Sequence, residues 1–154
     1  MSLPESIVLP QTREAETIRR YALGQADPSY FDKDAAPIFA DNMVFNGLLF
    51  KVAGGENVRG LFATFVKDII VEVKFDSIVE CGSKDKYLFL YFLRLQGMGE
   101  NGLYICDYTT LDESGLMVRM ENCYDTSKCP QEFINAGAQA TAQAKEIFKQ
   151  LNGS

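Results

Sequence analysis

One aspartate stands out by its neighbours. Asp107 falls in the run Leu103 to Leu111, whose alternate members Leu103, Ile105, Thr109 and Leu111 are otherwise apolar or small. A carboxyl set among Ile, Leu, Val and Met loses hydration, which disfavours its charge and raises its pKa. Such a group can act as an acid or donate a hydrogen bond to a developing oxyanion. The bland alternative stands beside it: a strand aspartate that hydrogen-bonds a buried Tyr, Asn or backbone group, since structural networks also perturb pKa. The 154-residue chain contains no histidine. Ser-His and Cys-His nucleophilic mechanisms are therefore excluded, and acid-base chemistry falls to carboxylates, Tyr, Cys or Lys. The four cysteines, Cys81, Cys106, Cys123 and Cys129, form no C-x-x-C pair. Zinc sites need Cys and His at tight spacing, so these read as reduced, mostly buried small hydrophobes. No metal and no organic cofactor is implied.

Formal net charge is -6 and pI about 4.7. A nucleic-acid partner needs clustered Lys and Arg to displace counterions, and no such cluster occurs. The longest dense apolar stretch, Tyr87 to Leu95, is too short to span a bilayer as a helix, and Met1 to Pro10 lacks the pattern of a signal peptide. The expected location is cytoplasmic, with no membrane partner. Hydrophobic residues make up 47% of the chain, enough for one core in one domain.

The elements that position Asp107 follow from periodicity. Thr12 to Gln25 predicts a first helix, capped by Thr12, with Ile18, Tyr21, Ala22 and Gln25 on one face. Ser29 to Ala40 predicts a second, short helix disturbed by Pro37. Met43 to Val52 predicts a strand or hairpin turning at Asn46-Gly47. Asn57 to Asp68 predicts a third helix, with Val58, Leu61, Phe62, Phe65 and Val66 in one apolar stripe. Ile69 to Ser77 alternates as a half-buried strand, with Ile69, Val71, Val73, Phe75 and Ser77 on one side. Tyr87 to Leu95 is apolar at nearly every position, so both its faces should be covered. Leu103 to Leu111 and Leu116 to Tyr124 form a hairpin around Asp112 to Gly115. Pro130 opens a final helix to about Asn152.

If Leu111 faces Leu116 across that loop, then Thr109 faces Val118, Asp107 faces Met120 and Ile105 faces Asn122. One side then carries Leu103, Ile105, Asp107, Thr109, Leu111, Leu116, Val118, Met120, Asn122 and Tyr124. This more apolar side is expected to face the pocket. Arg94 lies near Asp107 if it faces inward, and is a rim or interface residue if it faces outward.

Several local segments resemble the nuclear transport factor 2-like superfamily. Phe39-Ala40-Asp41-Asn42-Met43-Val44-Phe45 is similar to its "FADDVVF" segment. Gly54 to Phe65 resembles the "G-x-x-A-I-x-x-F-F" helix that follows there. Asp112 to Val118 resembles its "DGKI" hairpin, and Tyr124-Asp125 a frequent strand ending. The resemblance covers roughly residues 12 to 125. It implies an α+β, cystatin-like cone in which N-terminal helices pack on a curved antiparallel sheet around a pocket. Residues 1–11 are then an N-terminal extension and 126–154 an extra C-terminal helix. Members include ketosteroid isomerase, limonene epoxide hydrolase, scytalone dehydratase and SnoaL-like cyclases, and others bind partners without chemistry. Fold alone decides nothing about function.

Cys106 to Met117 is similar to the ketosteroid isomerase strand that carries a protonated aspartic acid, and Tyr21 resembles its partner tyrosine on the first helix. The resemblance thus implies an Asp107-Tyr21 acid or oxyanion pair. The base of that family falls on Asn46 or Gly47, neither of which takes a proton. The triad of limonene epoxide hydrolase lands near Phe89, Tyr91 and Asn122 and is not matched. Asn46 and Asn122 would orient an apolar ligand lined by Phe39, Phe45, Phe62, Phe65, Met120 and Tyr124. The resemblance also implies a homodimer through the outer sheet face. The expectation is a small-molecule pocket protein, an isomerase, cyclase or dehydratase, with a non-catalytic binding or assembly module as the alternative.

Overall fold

The computed structural model describes residues 2–49, 51–135 and 138. Among the described residues two long α-helices and a 3-10 turn pack on a six-stranded sheet. Helix α1 runs over Arg13–Gly24, and the Thr12 hydroxyl accepts the Ala15 amide as its cap. Its buried face carries Ala15, Ile18, Tyr21 and Ala22. Helix α2 covers Gly55–Asp68 and buries Val58, Phe62, Phe65 and Val66.

The strands are β1 (Phe39–Asn46), β2 (Lys51–Ala53), β3 (Ile70–Glu80), β4 (Lys86–Leu95), β5 (Leu103–Leu111) and β6 (Met117–Cys123). They lie in the order β2-β1-β6-β5-β4-β3. The sheet is mixed, not purely antiparallel, because β1 and β6 pair in parallel. A β3-β6 meander leaves β6 with a free edge, and β1 fills it. No described helix is long and apolar enough to cross a membrane.

Three expectations need correction. The second helix is only the 3-10 turn Pro28–Phe31, capped by Asp27. Past it the chain runs irregularly into β1, as Pro37 requires of its surroundings. The alternation of β3 does not run through to Ser77: a register shift between Phe75 and Ser77 puts Ile78 inside after Val73 and Phe75. Tyr87, Phe89, Tyr91, Leu93 and Leu95 of β4 are buried, but Leu90 on the opposite face is 41% exposed. The outer face of β4 is thus open in the single chain.

The register of the last hairpin also differs. Asp107 faces Asn122 and Thr109 faces Met120, while a bulge lets Leu111 face Met117. Met117 therefore points inward where Leu116 and Val118 were expected, and it is fully buried. The turn is built by Asp112, whose carboxylate accepts the Ser114 and Leu116 amides. Gly115 takes a positive φ of 77° there, which only Gly adopts without strain. The turn is fastened to α1, since the buried Thr17 hydroxyl donates to the Gly115 carbonyl at 2.6 Å.

Helix α2 is set against β1 by a missing side chain. A Cβ on Gly55 would sit 2.3 Å from the Ala40 carbonyl oxygen. That close approach brings Phe62 into an aromatic cluster. Its ring lies 5.4 Å from Tyr21, 5.6 Å from Phe39 and 5.5 Å from Phe45.

Candidate functional site

Asp107 stands on β5 between Phe89 of β4 and Asn122 of β6. It is only 1% exposed. Tyr91 lies two residues along β4 from Phe89, on the same buried face, so it reaches Asp107 diagonally. Its hydroxyl donates to Asp107 Oδ2 at 2.6 Å. Asp107 Oδ1 is buried and has no hydrogen-bond partner among the described residues. Burial raises the Asp107 pKa to about 7, and the hydrogen bond from Tyr91, with the Tyr21 hydroxyl nearby, offsets only part of that rise. At neutral pH the carboxyl is thus divided between its two forms.

Tyr21 approaches from α1. Its hydroxyl donates to Met120 Sδ at 3.4 Å, a weak acceptor that a better one can displace. Burial first, and then the Asp107 charge, hold both Tyr21 and Tyr91 well above the ordinary phenol range. Both therefore stay protonated donors. The Tyr124 phenol is raised as well, first by burial and then by Cys129 and Asp107. Its hydroxyl is buried without a hydrogen-bond partner among the described residues.

An apolar cleft opens beside these groups. Tyr21 and Gln25 of α1 line it, with Phe62 and Phe65 of α2, Phe45 of β1 and Leu93, Leu95, Leu103 and Ile105 of the sheet. Phe133, from the helical segment 131–135, closes one side against Phe65 at a ring distance of 5.5 Å. The interior volume is about 40 Å³. One water takes roughly 10–15 Å³ by this measure, so the cleft as folded has room for a few waters. Asp107 is the one carboxyl among the described residues that line it. No cluster of three or more described Cys, Asp or Glu side chains could hold a metal.

The same architecture recurs in solved structures. A steroid delta-isomerase from Pseudomonas aeruginosa superposes with a TM-score of 0.62 at 16% identity, over 92% of this chain and 98% of that one. An LEH-like epoxide hydrolase from Mycobacterium tuberculosis gives 0.58 at 16%, over 94% and 100%. A Silicibacter pomeroyi protein described as cystatin-like gives 0.58 at 18%, over 82% and 83%. The chain has the cystatin-like, nuclear transport factor 2-like fold. No family model and no curated protein matches it.

On this nuclear transport factor 2-like framework the expected site residues separate into three groups. Asp107, Tyr21, Asn122, Phe45, Phe62, Phe65 and Tyr124 line one cleft. Phe39 and Met120 lie behind it: Phe39 stacks on Phe62, and Met120 receives the Tyr21 hydroxyl. Asn46 ends β1 opposite Lys51 and Glu121 and does not line the cleft. Asn122 Oδ1 accepts the Leu48 amide at 3.2 Å, which ties down the segment after β1. Arg94 faces away from Asp107, paired with Glu72 at 3.2 Å.

Sequence reasoning missed Tyr91, Gln25 and Phe133. Tyr91 was legible once β4 and β5 are paired, because a diagonal neighbour of Asp107 must come from positions two removed from Phe89. Gln25 falls one turn beyond Tyr21 on the apolar face of α1. It is 3% exposed, and its Nε2 donates to the Tyr21 carbonyl at 3.4 Å. Phe133 carries no periodic signal. The rest of the expected C-terminal helix, apart from 138, lies outside the described residues.

Proposed function

We propose that the protein binds a small, largely apolar molecule carrying one oxygen acceptor, such as a ketone or a planar phenol. Protonated Asp107 would donate from Oδ1 to that oxygen, and Tyr21 would turn from Met120 to give it a second hydrogen bond. The observation that carries this reading is the buried Asp107 Oδ1, without a hydrogen-bond partner among the described residues, beside an apolar cleft. A buried polar atom without a partner costs free energy that a ligand oxygen recovers. Reactions that need only an acid or oxyanion donor fit these groups, which favours an isomerase, cyclase or dehydratase of that kind. Proton abstraction by a second carboxylate does not fit, because Asn46 occupies the expected position of the base and lies away from the cleft.

The test is the carbon-detected NMR titration of the Asp107 carboxyl, with and without a panel of phenols and ketones. The expected midpoint lies near 7 and moves on binding. A midpoint near the ordinary 3.8 with no response to any probe would remove Asp107 from this role.

A second reading concerns assembly. The outer faces of β4 and β5 present Leu90 and Tyr108, with Tyr104 73% exposed. Phe92 and Tyr104 make an edge contact at 5.6 Å within that surface. A second copy of this chain is the occupant we propose, since a self-complementary patch closes as a two-fold dimer. Light scattering at micromolar concentration should give twice the chain mass. A monomer that persists at ten times that concentration would reject the dimer.

A further inference from the structure

The outer face holds a feature that the pocket does not use and that lies within the surface the dimer would cover, since Cys106 pairs with Leu90. Cys106 of β5 and Cys123 of β6 are direct partners in the antiparallel ladder, and facing residues project to the same side of a sheet. The same side is the outer one, because the adjoining pair Asp107 and Asn122 points into the cleft. Antiparallel partners have Cα atoms about 4.5 or 5.5 Å apart. Both separations fall inside the range of about 4.4–6.8 Å that a disulfide spans. Both thiols are free, and against the expectation of mostly buried cysteines Cys106, like Cys81 and Cys129, is only half-buried and Cys123 is exposed.

We propose that Cys106 and Cys123 form an oxidation site, in which a peroxide converts the facing thiols into a cross-strand disulfide. The exposed Cys123 reacts first. Its thiolate attacks one oxygen of hydrogen peroxide, the O–O bond breaks, and a sulfenic acid and hydroxide result, the latter leaving as water. The Cys106 sulfur then attacks the sulfenic sulfur. The S–S bond forms, the S–O bond breaks, and the Cys106 proton leaves with the hydroxide as a second water. Overall the two thiols are oxidised by two electrons and one peroxide is reduced to two waters.

Two further observations assign this order. Burial, with Asp107 and Cys123 nearby, raises the Cys106 thiol, so it is a poor first nucleophile and waits as the resolving partner. Strand β1 ends at Asn46, beside Glu121, so Cys123 extends past the end of its neighbour and peroxide reaches it from the rim. Cys81 is the competing thiol. It lies just beyond the end of β3, and its Sγ is engaged with the Val79 carbonyl at 3.7 Å.

The full chain, dilute enough to be monomeric by light scattering, is treated with hydrogen peroxide. Free thiols are then alkylated and the protein is analysed by intact mass and peptide mapping without reductant. The expected product has lost two hydrogens, contains a Cys106–Cys123 linked peptide, and carries alkylated Cys81 and Cys129. Reductant restores four alkylatable thiols. Cys123→Ser and Cys106→Ser each abolish the linked product, and with Cys106→Ser the Cys123 oxidation stops at sulfenic or sulfinic acid. A link through Cys81, an intermolecular link, or over-oxidation of Cys123 in the unmutated chain would each overturn the proposal.

Discussion

Replacing Asp107 by Asn is expected to make the protein more stable at pH 8 and to flatten its stability between pH 5 and pH 8. In the folded chain this carboxyl has a pKa of about 7, against an ordinary value of 3.8. Between those values the folded state holds a proton that the unfolded state has lost. Stability therefore falls as pH rises through this window and levels off above it. At about 1.4 kcal/mol for each tenfold change in proton affinity, the interval is worth up to roughly 4 kcal/mol. Five shifted carboxylates move the other way. Asp27, Glu56, Glu72, Asp85 and Asp125 are held below their ordinary range by side-chain hydrogen bonds. Their contribution is lost only as the solution becomes acidic. Urea denaturation at several pH values measures the slope, and the amide of Asn keeps an acceptor for the Tyr91 hydroxyl. If unmutated stability rises from pH 5 to pH 8, or if Asn leaves the slope intact, Asp107 is not the neutral-range acid described above.

Phe62→Ala is expected to cost about 3–5 kcal/mol, the range for removing a large aromatic side chain from a core. Phe62 is only 6% exposed. It packs on four other rings, those of Tyr21, Phe31, Phe39 and Phe45. The variant also joins a new apolar void to the cleft, and a dry void of this kind takes up small aromatic molecules. Benzene or phenol should therefore raise the melting temperature of the variant much more than that of the unmutated chain. A loss below about 1 kcal/mol, with no response to either probe, would mean that the neighbouring rings collapse into the space.

How much of this was readable in advance follows from which forces are local. The stripe Val58, Phe62, Phe65 and Val66 and the cap at Thr12 are encoded within a few residues, and both helices formed where they were expected. The chemical oddity of Asp107 was equally local, because alternation alone put it among apolar neighbours. What failed depends on pairing. The loop sets Leu111 opposite Met117 instead of Leu116, and the bulge between Thr110 and Leu111 adds a second residue of shift, exchanging Met120 for Asn122 opposite Asp107. No residue in the turn announces that shift. Tyr91 needed the β4-β5 register, and Phe133 needed to know where the chain goes after Pro130. Phe39 and Met120 were placed on the correct side but one layer too near the ligand, since a side-facing pattern carries no depth.

The parallel pairing of β1 with β6 has a consequence for the order of folding. The other strand pairs join neighbours in the chain and can close through short loops. The β1-β6 ladder joins segments from opposite ends of the domain, so its closure entropy is met only once the meander between them stands. Phe45 from β1 and Asn122 from β6 both wall the cleft. The cleft is therefore complete only when this last seam closes. A chain emerging from the ribosome without β6 lacks Asn122, and with it one wall of the cleft. A ligand added to a refolding mixture will accelerate nothing before that step and will trap only the finished molecule.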